Sequence, residues 1–410
     1  LTRSGYGEQS RFAMRALRER EDLFDIYINP LQWGQTSWSI EDNEERRWID
    51  ATIEKTIAYS RNQPSFDASF QVTIPNEWEN LAPVNIGYTA GIETTKVAHQ
   101  WLQQGNAMNR IVVVSNHAAK TYKGTHDGED EAGNNVNLSL STPIDVVNYP
   151  VKTYDNLPDL DIQLDYNFNF LVIAQAGPRK NLPATVKWFL EEFKNDEVGL
   201  VIKTNIAKNC LMDREKIYHD LKRLIIENTE DKKCKVYLLH GDMEDAEIHS
   251  LYVHPQIQAL VSFAHGEGFG LPLFEAAYSG MPTVCPGWSG QLDFLVNKDT
   301  GRSIFYNVEY DLHPVPKEVV WDGVLIQESM WAFAREHSAK HKMRQCYADL
   351  TGEKSDESKK IFVDHAAYLH QSMSPEVQNA QMVESVCVAL GISSDKNTIK
   401  DETTELLDFD

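Results

Sequence analysis

The chain predicts an α/β fold of two doubly wound, Rossmann-like domains facing a cleft, on three observations. Its 410 residues are too many for one ordinary domain and suit two of roughly 150 to 200 residues. Apolar runs of strand length alternate with helical periodicities, the pattern of parallel sheets covered by helices. In IQALVSFAHGEGFGLPLFEAAYSGMPTVCPGWSGQLD a strand, a glycine-broken loop, a helix and a second strand follow one another.

In chain order, residues 7–20 read as a helix, 24–28 as a strand, 44–60 as a helix, and 69–74, 84–88 and 110–114 as strands. Residues 123–140, rich in Gly, Asp, Glu and Asn and without periodicity, read as a mobile surface insertion. Pro150, Pro158 and the acidic residues between them mark the crossing from a first domain, 1–157, to a second, 158–365. The second domain has expected strands at 170–174, 198–203, 236–239, 259–263 and 283–285. Residues 319–382 read as helical, with the helices of 366–392 expected to pack back on the first domain. The stretch 393–410 is polar and acidic enough for a disordered tail.

A composition of 42% hydrophobic and 24% charged residues is that of a soluble globular protein. The formal charge of -22 repels a phosphate backbone, so no nucleic-acid partner is expected. Five cysteines, an odd number without CxxC spacing and with Cys285 in an expected buried strand, suggest reduced thiols and a cytoplasmic location. No apolar run has the length of a membrane span and no signal peptide is visible, which leaves room for peripheral membrane contact.

Within the 257–293 stretch, the apolar run 257–263 ends where polar and glycine residues begin, so the loop opens at a strand's carboxyl end. Gly266, Gly268 and Gly270 permit positive φ and close approach of a ligand to backbone N–H groups. Pro272 suits a first helical turn, and Gly280 stops the helix of 272–279. That helix aims its unpaired N–H groups and positive dipole end at the loop, a seat for a diphosphate. Glu267 in the loop and Glu275 in the first turn can then face one pocket and accept hydrogen bonds from the vicinal hydroxyls of a sugar or ribose. A dinucleotide fold is the weaker reading, because GEGFGL lacks the GxGxxG order and the next strand does not end in an acidic residue. The plainest account is that Glu275 complements the helix dipole and the glycines make a tight turn. Either glutamate alone would favour that account; the whole cassette does not.

The motif Glu267-x7-Glu275 within HGEGFGLPLFEAAYSGMP closely resembles the donor-site signature of retaining glycosyltransferases with the GT-B fold, family four above all. The resemblance is strong over 169–295 and looser over the N-terminal half. It implies a hexosyltransferase that moves a sugar from a nucleotide-diphospho-sugar to a hydroxyl acceptor, whether glycan, lipid or small molecule. The first domain would face the acceptor and the second bind the donor. By the same resemblance Glu275 takes the ribose and Glu267 the transferred sugar. Gly268, Phe269, Gly270 and Leu271 supply backbone contacts, and His265 lines the pocket.

Such chemistry needs cations for the departing diphosphate. Family members place an arginine shortly before a lysine-glycine or lysine-asparagine pair; here Lys180-Asn181 matches the lysine, but Gln175 stands near the arginine's place. Arg179 and Lys203, both at strand ends, are the candidates to supply the missing charge. The resemblance also implies a donor-facing glycine loop at the head of the first domain, which Ser4-Gly5-Tyr6-Gly7 matches, so Gly5, Tyr6 and Gly7 are candidate donor contacts. The strand that should precede this loop is nearly absent, so either residues precede Leu1 or the domain has an unusual edge.

Glu93 and Thr94 end another strand near the cleft, on the acceptor or sugar side, and Ser115, Asn116 and His117 end the next, with Ser115 reading as a helix cap. Asp159-Leu160-Asp161 matches the metal-holding DxD pattern of a different glycosyltransferase fold, but it sits in the crossing of a very acidic chain. No metal or other cofactor is expected, the nucleotide-sugar being a substrate. An epimerase or phosphorylase on the same scaffold, and a non-catalytic sugar-binding relative suggested by Gln175, are the competing readings.

Overall fold

The computed structural model describes residues 2, 4–31, 41–61, 65–129, 134–228 and 231–395, so the expected acidic tail lies, beyond residue 395, outside the described residues. The chain opens with α1 (Gly5–Arg18) and α2 (Glu44–Ser60), joined through Arg18 to Glu44 at 2.8 Å and through the Arg15–Glu45 ion pair. There follow β1 (Ala68–Val72), β2 (Val84–Thr89), α3 (His99–Asn106), β3 (Arg110–Val113), α4 (Asn116–Gly124), the short strands β4 (Asp127–Glu129) and β5 (Asn135–Asn137), and β6 (Ile144–Val146). β1, β2, β3 and β6 pair in that order as a parallel sheet. Their sequential order leaves this sheet without a reversal of winding.

Residues 147–168 cross over without helix or strand, and Asp159 and Asp161 are exposed there. The second half holds β7 (Asn169–Gln175), α5 (Leu182–Glu192), β8 (Gly199–Asn205), α6 (Leu211–Asn228), β9 (Lys235–Leu239), α7 (Asp245–Val253), β10 (Ile257–Val261), α8 (Leu271–Tyr278), β11 (Thr283–Pro286), α9 (Leu292–Leu295) and β12 (Tyr306–Val308). Its sheet runs β12-β11-β10-β7-β8-β9, all parallel. The chain winds one way from β7 to β9, then returns to start again at β10, which is the doubly wound order. Central strands such as β8 and β10 are buried on both faces, which is why they read as continuous Leu, Val and Ile rather than as alternation.

Next come the antiparallel pair β13 (Tyr310–Pro314) and β14 (Met330–Ala334), then α10 (Glu336–Thr351), α11 (Ser355–Ser372) and α12 (Pro375–Leu390). α12 returns to the first half and packs on α1 and β2, where Asn379 donates to Glu19 at 2.7 Å. The hairpin's long connection also crosses over. Val324 is buried among Trp78, Trp101 and Met108 of the N-terminal core, Asn76 donates to the Gly323 carbonyl at 2.8 Å, and the Met330 N–H donates to Thr95 Oγ1 at 3.0 Å. A single apolar cluster runs from one sheet to the other, joining Phe12, Tyr88 and Tyr149 to Leu171, Phe274 and Phe294. No described helix is long and apolar enough to cross a membrane.

Four expectations are corrected. Residues 24–28 are extended but pair with no strand among the described residues, the Ile28 N–H going instead to Thr56 Oγ1 of α2 at 2.8 Å. Residues 123–140 hold the end of α4 and the β4–β5 hairpin, not an unstructured insertion. The stretch 319–382 begins with the hairpin connection and β14 before its helices start. β6 and β12 are additional strands of three residues, too short to show a period.

Candidate active site

In a doubly wound sheet the loops leaving the two strands at the reversal diverge and open a crevice at their carboxyl ends. Here those strands are β7 and β10, and the loop after each carries the charged residues singled out above. After β7 a short 3-10 turn, Pro178–Lys180, leads to Asn181 at φ 51°, which starts α5 and turns Arg179 and Lys180 toward the loop after β10. That second loop is tied to the first where the His265 N–H donates to the Arg179 carbonyl at 2.8 Å.

Glu267 stands between the two cations. Lys180 Nζ lies 2.5 Å from Oε1, while Arg179 donates to Oε2 at 3.0 Å and to the Gly266 carbonyl at 2.6 Å. On its far side Arg179 reaches Glu93 of the N-terminal half at 3.3 Å. Burial alone would raise the Glu267 carboxyl, but Lys180 and Arg179 outweigh it and hold the group below the usual glutamate range. Burial also lowers Lys180, with Glu267 opposing that shift. Two cations and two carboxylates from three loops thus meet at the domain junction.

Glycine is required in this loop at three places. A β-carbon on Gly266 would lie 2.5 Å from the Glu93 carbonyl oxygen. A β-carbon on Gly268 would lie 2.6 Å from the Ala90 carbonyl oxygen across the junction, and Gly270 adopts φ 95° as it turns into α8. The Gly268 carbonyl accepts from Ser115 Oγ at 2.6 Å, and the same Ser115 caps α4 through the Ala118 N–H at 3.1 Å. Phe269 turns its ring into the aromatic cluster of Tyr149, Phe274 and Phe294, leaving its backbone at the site.

Glu275 faces a different space. A cavity of about 280 Å³ opens between α1 and α2 on one side and α7 and α8 on the other; Glu275, Leu271, Lys203, His249, Lys152 and Glu8 help to line it, and Glu267 does not. Glu267, buried against Lys180 and Arg179, does not line this cavity, so the cavity does not bring together the two glutamates expected to face one pocket. Burial pushes the Glu275 carboxyl up to about 8; a bond from Tyr252 opposes the shift, and the charges of Asp245 and Glu8 add to it. Tyr252 donates to Oε2 at 2.8 Å. Lys203 belongs to this compartment and donates to the Gly241 carbonyl at 2.7 Å. Lys152 lies 3.5 Å from Glu8 and forms an ion pair with Asp245, bridging the two halves at the cavity.

Other candidates are placed differently. Gly5, Tyr6 and Gly7 form the first turn of α1 rather than a loop, because Ser4 accepts from the Gly7 N–H at 3.0 Å and starts the helix there. Tyr6 is directed to Thr89 Oγ1 at 2.9 Å, and its neighbours Ser4 and Glu8 reach the cavity instead. Thr94 is fully buried and donates to the Lys96 carbonyl at 2.8 Å, so its hydroxyl is spent within its own loop. His265 stacks between Trp331 and Phe333 and bonds through Nδ1 to the Ala332 carbonyl at 3.0 Å. His117 packs edge-on to Trp288 at 5.0 Å, and burial pulls its imidazole down to about 4. Gln175 is exposed and donates to the Ile206 carbonyl at 2.6 Å.

Sequence reasoning missed Tyr252, His249, Trp288 and Asp293. Asp293 accepts from the Asn116 N–H at 2.8 Å and from Asn148 at 3.0 Å, closing the junction beside α4. Nothing local marks these residues, since each acquires its partner only when separate elements pack.

No family model matches the chain, and no curated protein matches it in sequence. Among solved structures it is similar to a glycosyltransferase from Rickettsia africae ESF-5, with a TM-score of 0.54 and 16% identity over 93% of this chain and 88% of that one. It is also similar to Anabaena Alr3699/HepE in complex with UDP and glucose, with a TM-score of 0.52 and 13% identity over 82% of each chain. Staphylococcus aureus TarM gives a TM-score of 0.45 at 14% identity over 76% of this chain, which spans about half, 51%, of TarM's length. At such identities the likeness shows the fold, and the fold is GT-B, two Rossmann-like domains meeting at a cleft.

Proposed function

We propose that the protein is a retaining glycosyltransferase that moves a hexose from a nucleotide-diphospho-sugar to a hydroxyl acceptor. The observation that carries this reading is the buried carboxylate Glu267, held at 2.5 Å by Lys180 and 3.0 Å by Arg179 where the β7 and β10 loops diverge. Glu275, in the second turn of the adjoining helix rather than the expected first, takes the ribose; Lys180, Arg179 and the first-turn amides of α8 take the diphosphate. Once phosphates engage the cations, Glu267 is released to accept from hydroxyls of the transferred sugar.

As the bond from the anomeric carbon to the phosphate oxygen breaks, its electron pair stays on that oxygen. Lys180, Arg179 and the helix end stabilise the charge that grows there. The acceptor hydroxyl attacks from the same face and passes its proton to the leaving phosphate oxygen, so this route uses no protein base. Glu93, beside Arg179, lies on the acceptor side. Positive charge at the site comes from side chains and a helix end, with no role assigned to a metal. Arg179, whose guanidinium donates to Glu267 at 3.0 Å, supports this reading as the source of the charge that Gln175 does not supply.

A panel of UDP-, GDP- and ADP-sugars tests this, following nucleotide release and thermal shift together with and without a panel of hydroxyl acceptors. UDP-glucose is the first to try, given the ligands of the HepE structure. Stabilisation by one nucleotide series with sugar transfer supports the proposal. Conversion of the sugar without acceptor would point to an epimerase, and binding without turnover to a non-catalytic relative.

A further inference from the structure

Helix α7 begins at a capping box in which the Glu244 N–H donates to Glu247 at 2.7 Å, which fixes the rotation of the helix against its neighbours. His249 and Tyr252 are three residues apart and share one face, and both face Glu275 of α8. The phenol of Tyr252 is buried and donates to Glu275 Oε2 at 2.8 Å. His249 Nε2 stands 3.7 Å from the other oxygen, Oε1, which is beyond hydrogen-bond reach. Tyr154 of the crossing segment packs on His249 at 4.9 Å and backs this arrangement.

We propose that Tyr252 is a positioning residue for the donor: it fixes one oxygen of Glu275 and leaves Oε1 as the acceptor for the ribose diol. The proposal rests on the reading that Glu275 holds the ribose. Among the groups facing Glu275, Asp245 and Glu8 oppose a negative charge there, Lys152 favours it, and the Tyr252 hydrogen bond favours it most. Burial keeps Tyr252 protonated, and therefore a donor, over the working pH range.

The test is Tyr252→Phe, assayed with the nucleotide-sugar that wild type uses and with its 2′-deoxyribo counterpart. Loss of a hydrogen bond to a charged group predicts a rise in donor KM of roughly tenfold to a hundredfold, with kcat nearly unchanged. The pH profile of kcat/KM should move to the alkaline side, because the carboxylate loses its donor. The variant should prefer the ribo donor less strongly than wild type does. In a Glu275→Gln background Tyr252→Phe should add little, since the two act through one contact. A ring-fluorinated tyrosine at 252, which keeps the packing and donates more strongly, should move the profile to the acidic side and serves if the phenylalanine variant folds poorly. An unchanged KM and pH profile with only a lower Tm would make Tyr252 purely structural and overturn the proposal. A folded wild type that responds to no nucleotide-sugar would instead remove the underlying reading, and the proposal with it.

Discussion

Glu275 carries a raised pKa of about 8 against an ordinary 4.5, so between those values the folded protein binds a proton that the unfolded chain does not. Stability from this group is present in full below about 4.5 and is lost as pH rises to about 8. Glu275→Gln should remove that loss, and thermal melts of both proteins from pH 5 to pH 9 should show the variant gaining on wild type as pH rises. Donor binding has the opposite slope, because ribose hydroxyls need the carboxylate. Affinity should rise between pH 7 and pH 8.5 with release of a proton, measurable by calorimetry in two buffers. Lys180→Ala should mainly lower kcat, by about 10²- to 10³-fold, as expected for loss of a charge aimed at a leaving group. Glu267, Glu275 and Lys180 could be picked out as candidates because strand, loop and helix are written contiguously around them. Tyr252 was not: within AEIHSLYVH it reads as one more apolar position, and its meaning depends on how α7 meets α8.

The loop between β10 and α8 is pressed against the N-terminal half at Gly268, where a methyl group would meet the Ala90 carbonyl at 2.6 Å. Gly268→Ala should therefore part the junction, weaken the Ser115 bond and cost about 1 to 3 kcal/mol, read as a lower Tm together with weaker donor binding. Helices near the start of the chain were found in the sequence nearly to the residue, α2 at Glu44–Ser60 as expected and α1 at Gly5–Arg18 against an expected 7–20. Two of the failures share a cause. Residues 24–28 have strand composition but no partner strand among the described residues, while β13 and β14 gain theirs from each other across a connection of fifteen residues, 315–329. Pairing is a property of two segments, and a single segment does not display it.

The two halves are joined by the crossing segment, by α12 and by the hairpin connection that puts Val324 into the N-terminal core. Val324→Asp would bury an unpaired charge there. Scanning calorimetry should then show the single cooperative transition expected of wild type dividing into two, with the N-terminal half melting first. The GT-B plan was legible from alternation and length. This fastening was not, because nothing in WDGVLIQ announces which half it serves. Its consequence reaches back to synthesis on the ribosome. Trp78 and Trp101 emerge long before Val324, and α1 long before α12, so the N-terminal half stays incomplete until nearly all the described chain has been made. Vectorial, domain-by-domain folding is the usual course for long chains. The packing of the N-terminal half is therefore completed only after the later half has emerged, and a nascent chain stalled near residue 157 should be more open to proteolysis than the full chain.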